Sequence, residues 1–125
     1  MSSILLDTHV LIWYLNGDDE LGGAVRKKIT YAIHENNVHL AAISLWEIGM
    51  LSKKQRVVLE MPYLEWINKG LEATRINIVE LSPAIANESC DLPGKFHEDP
   101  ADRMIVATAR VENLTLVTRD RKSVV

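Results

Sequence analysis

The sequence predicts an α/β protein with a three-layer α/β/α sandwich around a central, mainly parallel sheet. Short apolar runs, typical of strands buried on both faces, alternate with amphipathic helical patterns along the chain. The 125 residues, 47% of them hydrophobic and 25% charged, suit one soluble domain over residues 1–125. Right-handed crossovers between parallel strands would place the strands' carboxyl ends at one edge of the sheet, where ligands bind in such folds.

The first half of the chain predicts two strand–helix units. The apolar run 4–6 forms the first strand, and the short helix after it ends at the turn-forming segment "NGDDE". Apolar residues at every fourth position predict an amphipathic helix over about 21–35. The run 38–43 forms a second strand, and Ser44 is well placed to cap the helix that follows it.

The second half continues this alternation. Pro62 opens a helix with Leu64 in its apolar core stripe and Trp66 beside the stripe. A third strand is predicted at 76–81, and a short helix follows at 83–90. The remaining predicted elements are a helix from Asp102 to about Glu112 and a fourth strand at 114–118.

Charge, hydropathy and cysteine content exclude several classes of protein. The net charge is only −3, and no block of like charges forms a basic tail for nucleic acid. No apolar run approaches the roughly 20 residues that span a bilayer, so we expect a cytoplasmic protein that does not associate with a membrane. Cys90 is the single cysteine, which excludes an internal disulfide, and we expect it to be buried or half-buried.

Four acidic residues are predicted to converge at the carboxyl edge of the sheet. Asp7 and Asp120 follow the first and last strands, and Glu47 and Asp102 lie near the starts of helices that begin at this edge. Carboxylates held together repel one another, and a divalent cation removes that cost. Because oxygen ligands without His or Cys suit hard cations, the pattern predicts bound Mg²⁺, with Mn²⁺ as a substitute.

The segment "HEDPADRMIVATA" contains two aspartates with different predicted roles. Asp99 precedes Pro100, a residue favoured at the first helical position, and is therefore expected to be the N-cap. Asp102 alone would be interpreted as a carboxylate stabilised by the helix dipole. Its expected proximity to Asp7 and Glu47 favours a ligand role instead.

Four segments resemble the signature segments of PIN-domain proteins: "LLDTHVLIWYL", "ISLWEIGMLSKK", "HEDPADRMIVATA" and "LTLVTRD". They occur in the family's order over nearly the whole chain, and the closest likeness is to VapC-type toxin ribonucleases of toxin–antitoxin pairs. The resemblance implies a PIN-like domain with Mg²⁺-dependent endoribonuclease activity on RNA. It also implies a homodimer and a cognate antitoxin protein that inserts a segment into the acidic pocket.

The resemblance further implies that one acidic pocket contains the catalytic carboxylates, which are Asp7, Glu47, Asp102 and Asp120. Asp99 is an auxiliary candidate. Asp7, Glu47 and Asp102 are expected to be metal ligands, and Asp120 is expected either to bind a second metal or to orient the attacking water.

Further candidates have simpler alternatives beside them. Thr8 and Thr118 are auxiliary candidates that would donate hydrogen bonds to carboxylates or to the scissile phosphate, although a threonine at a strand end is often structural. Lys53, Lys54 and Arg56 would contact the RNA backbone, or they are solvated cations at a helix end.

Two rival functions are compatible with carboxylates at strand ends. A phosphatase of the haloacid-dehalogenase type would need an aspartate where the chain has His9, so it is disfavoured. A non-catalytic module that captures a basic peptide stays open, because the sequence stops at "RKSVV", five residues after Asp120. A naturally short chain and a truncated one are both consistent with that end, and either would leave the last edge strand missing and Asp120 weakly held. His9 and His97 lie near the expected pocket without a partner at ligand spacing.

Overall fold

A parallel four-stranded sheet organises residues 3–92 and 99–119, which are the residues that the computed structural model describes. The strands are β1 (Ile4–Leu6), β2 (Val38–Ala41), β3 (Asn77–Val79) and β4 (Thr115–Val117). The α-helices in these ranges are α1 (Thr8–Asn16), α2 (Gly23–His34), α3 (Ala42–Lys53), α4 (Tyr63–Thr74), α5 (Pro83–Cys90) and α6 (Pro100–Val111). A single 3₁₀ turn, Asp19–Leu21, precedes α2.

The sheet order is β3-β2-β1-β4, so the first strand lies in the interior of the sheet. All three strand pairs are parallel, and Leu6 of β1 is in register with Leu40 of β2 on one side and Val117 of β4 on the other. Because the strands run in one direction, the residues after Leu6, Ala41 and Val117 share one edge of the sheet.

Alternate residues of the strands pack into separate cores on the two faces of the sheet. Ile4 and Leu6 belong to a core that buries residues of α1, α2, α3 and α4. Leu5 faces the opposite way and packs with Ile105, Val106 and other residues of α6. These two cores confirm the predicted three-layer α/β/α arrangement.

The start of α3 differs from the prediction. β2 ends at Ala41 and the chain enters α3 at once at Ala42, where Ala41 is an N-cap without a side-chain hydrogen bond. Ser44 therefore lies inside the first turn and is not the cap. Its side chain is fully buried, and its hydroxyl contacts Thr8 of α1.

The buried face of α4 also differs from the predicted stripe. Leu64 is 68% exposed, whereas Trp66 is 5% exposed and belongs to the core. The indole N–H of Trp66 donates a hydrogen bond to Asn16 Oδ1 at 3.0 Å. This bond satisfies the polar atom of the largest side chain of the helix, so burying Trp66 removes the most apolar area from water.

Two further expectations can be compared with the structure. Cys90 is exposed at the end of α5, whose inward face is formed by Ile85 and Ser89, so the expectation of a buried or half-buried thiol was wrong. Within the described ranges no helix combines the length and apolar character that crossing a bilayer requires.

Candidate active site

A pocket of about 320 Å³ lies at the carboxyl edge of the sheet. Its walls contain four carboxylates that the sequence singled out, which are Asp7, Glu47, Asp99 and Asp102. Ile105 and Val106 of α6 and Leu116 of β4 form its apolar lining. Carboxylates that are up to 95 residues apart in the sequence therefore line one concave surface.

Asp7 connects the sheet to α1, and hydrogen bonds at its backbone N–H and at both carboxylate oxygens hold it in place. Its backbone N–H donates to the Val117 carbonyl at 2.9 Å, which fixes the residue beside the end of β4. One carboxylate oxygen, Oδ1, accepts the Thr8 N–H at 2.8 Å as the N-cap of α1. The other, Oδ2, accepts the Thr118 hydroxyl at 2.9 Å. The orientation of this carboxylate is thus determined by both neighbouring elements.

Glu47 projects from α3 toward the same pocket and is oriented by α1. The Thr8 hydroxyl donates to Glu47 Oε1 at 2.5 Å, and its oxygen lies 3.0 Å from Ser44 Oγ. Thr8 is 1% exposed and Ser44 is fully buried. A rigid pair of hydroxyls therefore supports the Glu47 carboxylate from the core side.

The pKa of Glu47 is raised above its ordinary value. Burial of the half-buried carboxylate is the largest cause, and the negative charges of Asp102, Asp99 and Asp7 raise the pKa further. The hydrogen bond from Thr8 opposes this shift by stabilising the charged form. A cation bound beside Glu47 would offset this repulsion between carboxylates.

Asp99 and Asp102 lie at the amino end of α6. Asp99 is the N-cap, and its Oδ1 accepts the backbone N–H groups of Ala101 at 2.8 Å and Asp102 at 3.4 Å. Asp99 also belongs to the closest group of acids in the described chain. One carboxylate oxygen from each of Glu47, Asp99 and Asp102 lies within 4.8 Å of the others. Asp99 thus combines the predicted capping role with a place in the acidic cluster.

The chemistry of this donor set fits a hard divalent cation. One oxygen from each of three carboxylates lies within 4.8 Å of the other two, and Mg²⁺ and Mn²⁺ prefer carboxylate oxygens as ligands. Asp7 lines the same pocket but lies outside that closest group. The closest trio thus contains Asp99, which the sequence made an auxiliary candidate, and does not contain Asp7, which it made a candidate ligand.

Other predicted residues are placed as follows. Thr8 and Thr118 both donate to carboxylates, as one of their two expected roles required. Lys53, Lys54 and Arg56 are exposed at the far end of α3 and do not line the acidic pocket. Asp120 and His97 lie outside the described residues.

The pocket wall also contains His9 and Arg119, which were not principal candidates in the sequence. His9 is half-buried in the pocket wall, and burial and the charge of Arg119 lower its pKa, against the opposing effect of Asp7. Arg119 follows Thr118 directly and lines the pocket. The segment "TRD" predicted a site residue only through its aspartate, and no local pattern indicates where the side chain of Arg119 points.

A comparison with protein-family models identifies the chain. The PIN domain model matches residues 4–123. The chain belongs to the PIN-domain family. The family resemblance inferred from the four sequence segments is thereby confirmed, and the match covers the acidic positions both inside and outside the described ranges.

Curated proteins and solved structures agree with this PIN-domain membership. Ribonuclease VapC22 of Mycobacterium tuberculosis is 36% identical over 122 residues, which is 98% of this chain and 90% of that relative. A chain from a toxin–antitoxin complex of Klebsiella pneumoniae superimposes with a TM-score of 0.64 at 26% identity, covering 96% of this chain and 88% of its own length. The structure of FitAB bound to an IR36 DNA fragment contains a chain with a TM-score of 0.65 at 23% identity, covering 96% of this chain and 87% of its own. This last likeness supports the fold alone.

Proposed function

We propose that this PIN-domain protein is a Mg²⁺-dependent endoribonuclease and the toxin of a toxin–antitoxin pair. The observation that carries the proposal is the convergence of Asp7, Glu47, Asp99 and Asp102 in one pocket. The 36% identity to a ribonuclease over almost the whole chain supports RNA as the substrate. The buried hydroxyls that orient the half-buried Glu47 carboxylate favour a preorganised metal site over a pocket that only captures a basic peptide.

In the proposed site, Glu47, Asp99 and Asp102 hold the cation, with Asp7 as a further ligand, direct or through water. When bound, a divalent cation supplies an activated water nucleophile and positive charge beside the phosphoryl oxygens. Asp120, which follows Arg119 in sequence, is proposed as a further catalytic carboxylate, at a second metal or at the attacking water.

The chain's own residues orient these carboxylates. Thr8 holds Glu47 Oε1, and Thr118 holds Asp7 Oδ2. Because Thr8 is buried where α1 packs against α3, its hydroxyl holds the Glu47 carboxylate in one orientation. Asp99 is fixed by its cap bonds to the helix backbone. Such preorganisation lowers the cost of gathering like charges when the cation and an anionic phosphodiester bind.

Partners and setting are proposed on the same basis. An antitoxin that inserts a basic segment into the acidic pocket is supported by the likeness to a chain from a toxin–antitoxin complex. A homodimer, a cytoplasmic location and a single domain over residues 1–125 complete the proposal. Lys53, Lys54 and Arg56 are proposed to contact the RNA backbone outside the pocket.

Cleavage of a mixed RNA pool tests the proposed activity. Purified protein is incubated with Mg²⁺ or Mn²⁺, and EDTA and Asp7→Asn serve as the two controls. We expect cleavage that both controls abolish, without hydrolysis of a phosphomonoester. Equal cleavage by the wild type and by Asp7→Asn would identify contamination. Binding of a basic peptide without either hydrolysis would favour the binding module instead.

A further inference from the structure

Arg119 is the cationic side chain at the acidic pocket. Of the pocket-lining residues in the described ranges, it alone carries a permanent positive charge, beside four carboxylates. The basic residues expected to meet RNA, Lys53, Lys54 and Arg56, do not line this surface. Among the described residues, Arg119 is therefore the permanent positive charge that an anionic strand would meet in this pocket.

The position of Arg119 is fixed by the sheet, while its side chain stays accessible. Thr118, the preceding residue, donates to Asp7 Oδ2 at 2.9 Å, which ties this part of the chain to the end of β1. Arg119 itself is exposed. Its side chain lines the same pocket as Asp7 and Asp102.

The guanidinium is available for a ligand. Toward the part of the chain that the structure describes, Arg119 makes no ion pair and no hydrogen bond. An arginine whose role was to neutralise the acids would be paired with one of them, as Arg110 is with Glu88 at 2.6 Å. Its five N–H donors match the oxygens of a phosphate in a bidentate geometry that lysine does not provide.

We propose that Arg119 binds a phosphate of the RNA strand at the mouth of the acidic pocket and so positions the strand for cleavage. This inference rests on the proposed ribonuclease function and adds a phosphate-binding residue to it. The carboxylates would hold the cation beside the phosphodiester. Arg119 would offset the negative charge of the RNA strand, which the carboxylates otherwise repel.

Binding of single-stranded RNA to the non-cleaving Asp7→Asn chain in Mg²⁺ tests this role, measured by fluorescence anisotropy. Adding Arg119→Gln is expected to weaken binding about tenfold and to reduce the slope of log affinity against log salt by about 0.7. Arg119→Lys, which keeps the charge but loses the fork, is expected to lie in between. The matched control is Arg75→Gln, an exposed arginine before β3 at the opposite edge of the sheet.

The outcomes separate this inference from the proposed function. Unchanged affinity and salt slope in Arg119→Gln would overturn the phosphate contact, whether or not the wild type cleaves RNA. Equal losses in Arg119→Gln and Arg75→Gln would also overturn it, because they would show only a general effect of net charge. If the wild type fails to cleave RNA while Arg119→Gln alone loses affinity, the proposed function fails and the phosphate contact stands. In an active wild type, Arg119→Gln is expected to raise KM more than it lowers kcat.

Discussion

The Thr8 hydroxyl donates a hydrogen bond to Glu47 Oε1 at 2.5 Å, joining the first turn of α1 to the middle of α3. Thr8 follows Asp7 directly, so one dipeptide supplies a pocket carboxylate and orients another. Ser44, on the preceding turn of α3, contacts the same hydroxyl. The sheet edge and α3 are thereby fixed relative to each other at the point where the acids meet.

Thr8→Val tests this positioning role. The variant preserves the shape of the side chain but removes the hydroxyl, so the Glu47 carboxylate loses its donor and its pKa rises further. We expect the Mg²⁺ concentration for half-maximal cleavage to rise about 10- to 100-fold, as with other residues that orient metal ligands. Thr8→Ser keeps the hydroxyl and is the matched control. An unchanged Mg²⁺ requirement in Thr8→Val would show that Glu47 needs no support from α1.

Substitutions of Asp99 separate its capping role from its role as a ligand. Asp99→Asn retains a cap acceptor, so the free energy of unfolding should change by less than about 0.5 kcal/mol, whereas Asp99→Ala should cost about 1 kcal/mol. RNA cleavage should fall in both variants, because each removes a carboxylate from the trio with Glu47 and Asp102. Chemical denaturation and a cleavage assay on the same preparations provide the two readouts. Full RNA cleavage by Asp99→Asn would contradict the ligand role and show that Asp99 acts only as the N-cap.

Much of the fold is readable from local sequence, because buried parallel strands and helix starts have local signals. The continuous apolar run at Ile4–Leu6 and the Asp99-Pro100 pair identified β1 and the start of α6. The predicted cap at Ser44 was wrong, since α3 follows β2 without any polar cap. The contact that accounts for Ser44 is with Thr8, 36 residues away, and no local pattern reports it.

The acids of the site were predictable because a parallel sheet brings strand ends together, whatever the side chains do. The finer roles were not. Asp99 was predicted as the cap from its place before Pro100 and as an auxiliary site residue from the resemblance, and no local pattern indicated that it would lie in the closest trio of acids. Arg119 follows no motif of its own. Its place in the pocket depends on the register of β4 beside β1, which is a property of the assembled sheet.

The raised pKa of Glu47 predicts a pH dependence of stability in the metal-free protein. A carboxyl whose pKa is higher in the folded state than in the unfolded state binds protons more tightly when folded. Between the ordinary pKa of 4.5 and the raised pKa, the free energy of unfolding therefore increases as the pH falls. Glu47→Gln removes this ionisation and should be more stable than the wild type at pH 7, with the difference narrowing toward pH 4.5.

The free energy of unfolding of the wild type and of Glu47→Gln, measured in EDTA between pH 4.5 and pH 7, tests this pH dependence. Glutamine retains an acceptor for the Thr8 hydroxyl, so the comparison isolates the charge. A difference that stayed constant with pH, or that widened toward acid, would contradict the proposed desolvation of Glu47.

The basic residues at the end of α3 should contribute to RNA affinity and not to the chemical step. Lys53 lies six residues beyond Glu47, about 9 Å farther along the helix axis. We expect the triple variant Lys53→Gln, Lys54→Gln, Arg56→Gln to raise KM and reduce the salt slope of kcat/KM by up to about 2, with little change in kcat. The combined variant Lys27→Gln, Lys28→Gln, Arg75→Gln removes the same number of positive charges at exposed residues elsewhere and controls for net charge. Equal changes in KM and salt slope for the two variants would contradict a specific RNA contact and would show that these residues contribute only net charge.

The most direct test of the central claim is the rate of RNA cleavage measured against Mg²⁺ concentration. Wild type, Asp102→Asn and the exposed control Asp19→Asn are compared. The proposed site predicts saturable Mg²⁺ dependence in the wild type and in Asp19→Asn, and cleavage at the EDTA background in Asp102→Asn. Cleavage that is independent of Mg²⁺, or an Asp102→Asn variant with the wild-type curve, would contradict a carboxylate–metal ribonuclease in this pocket.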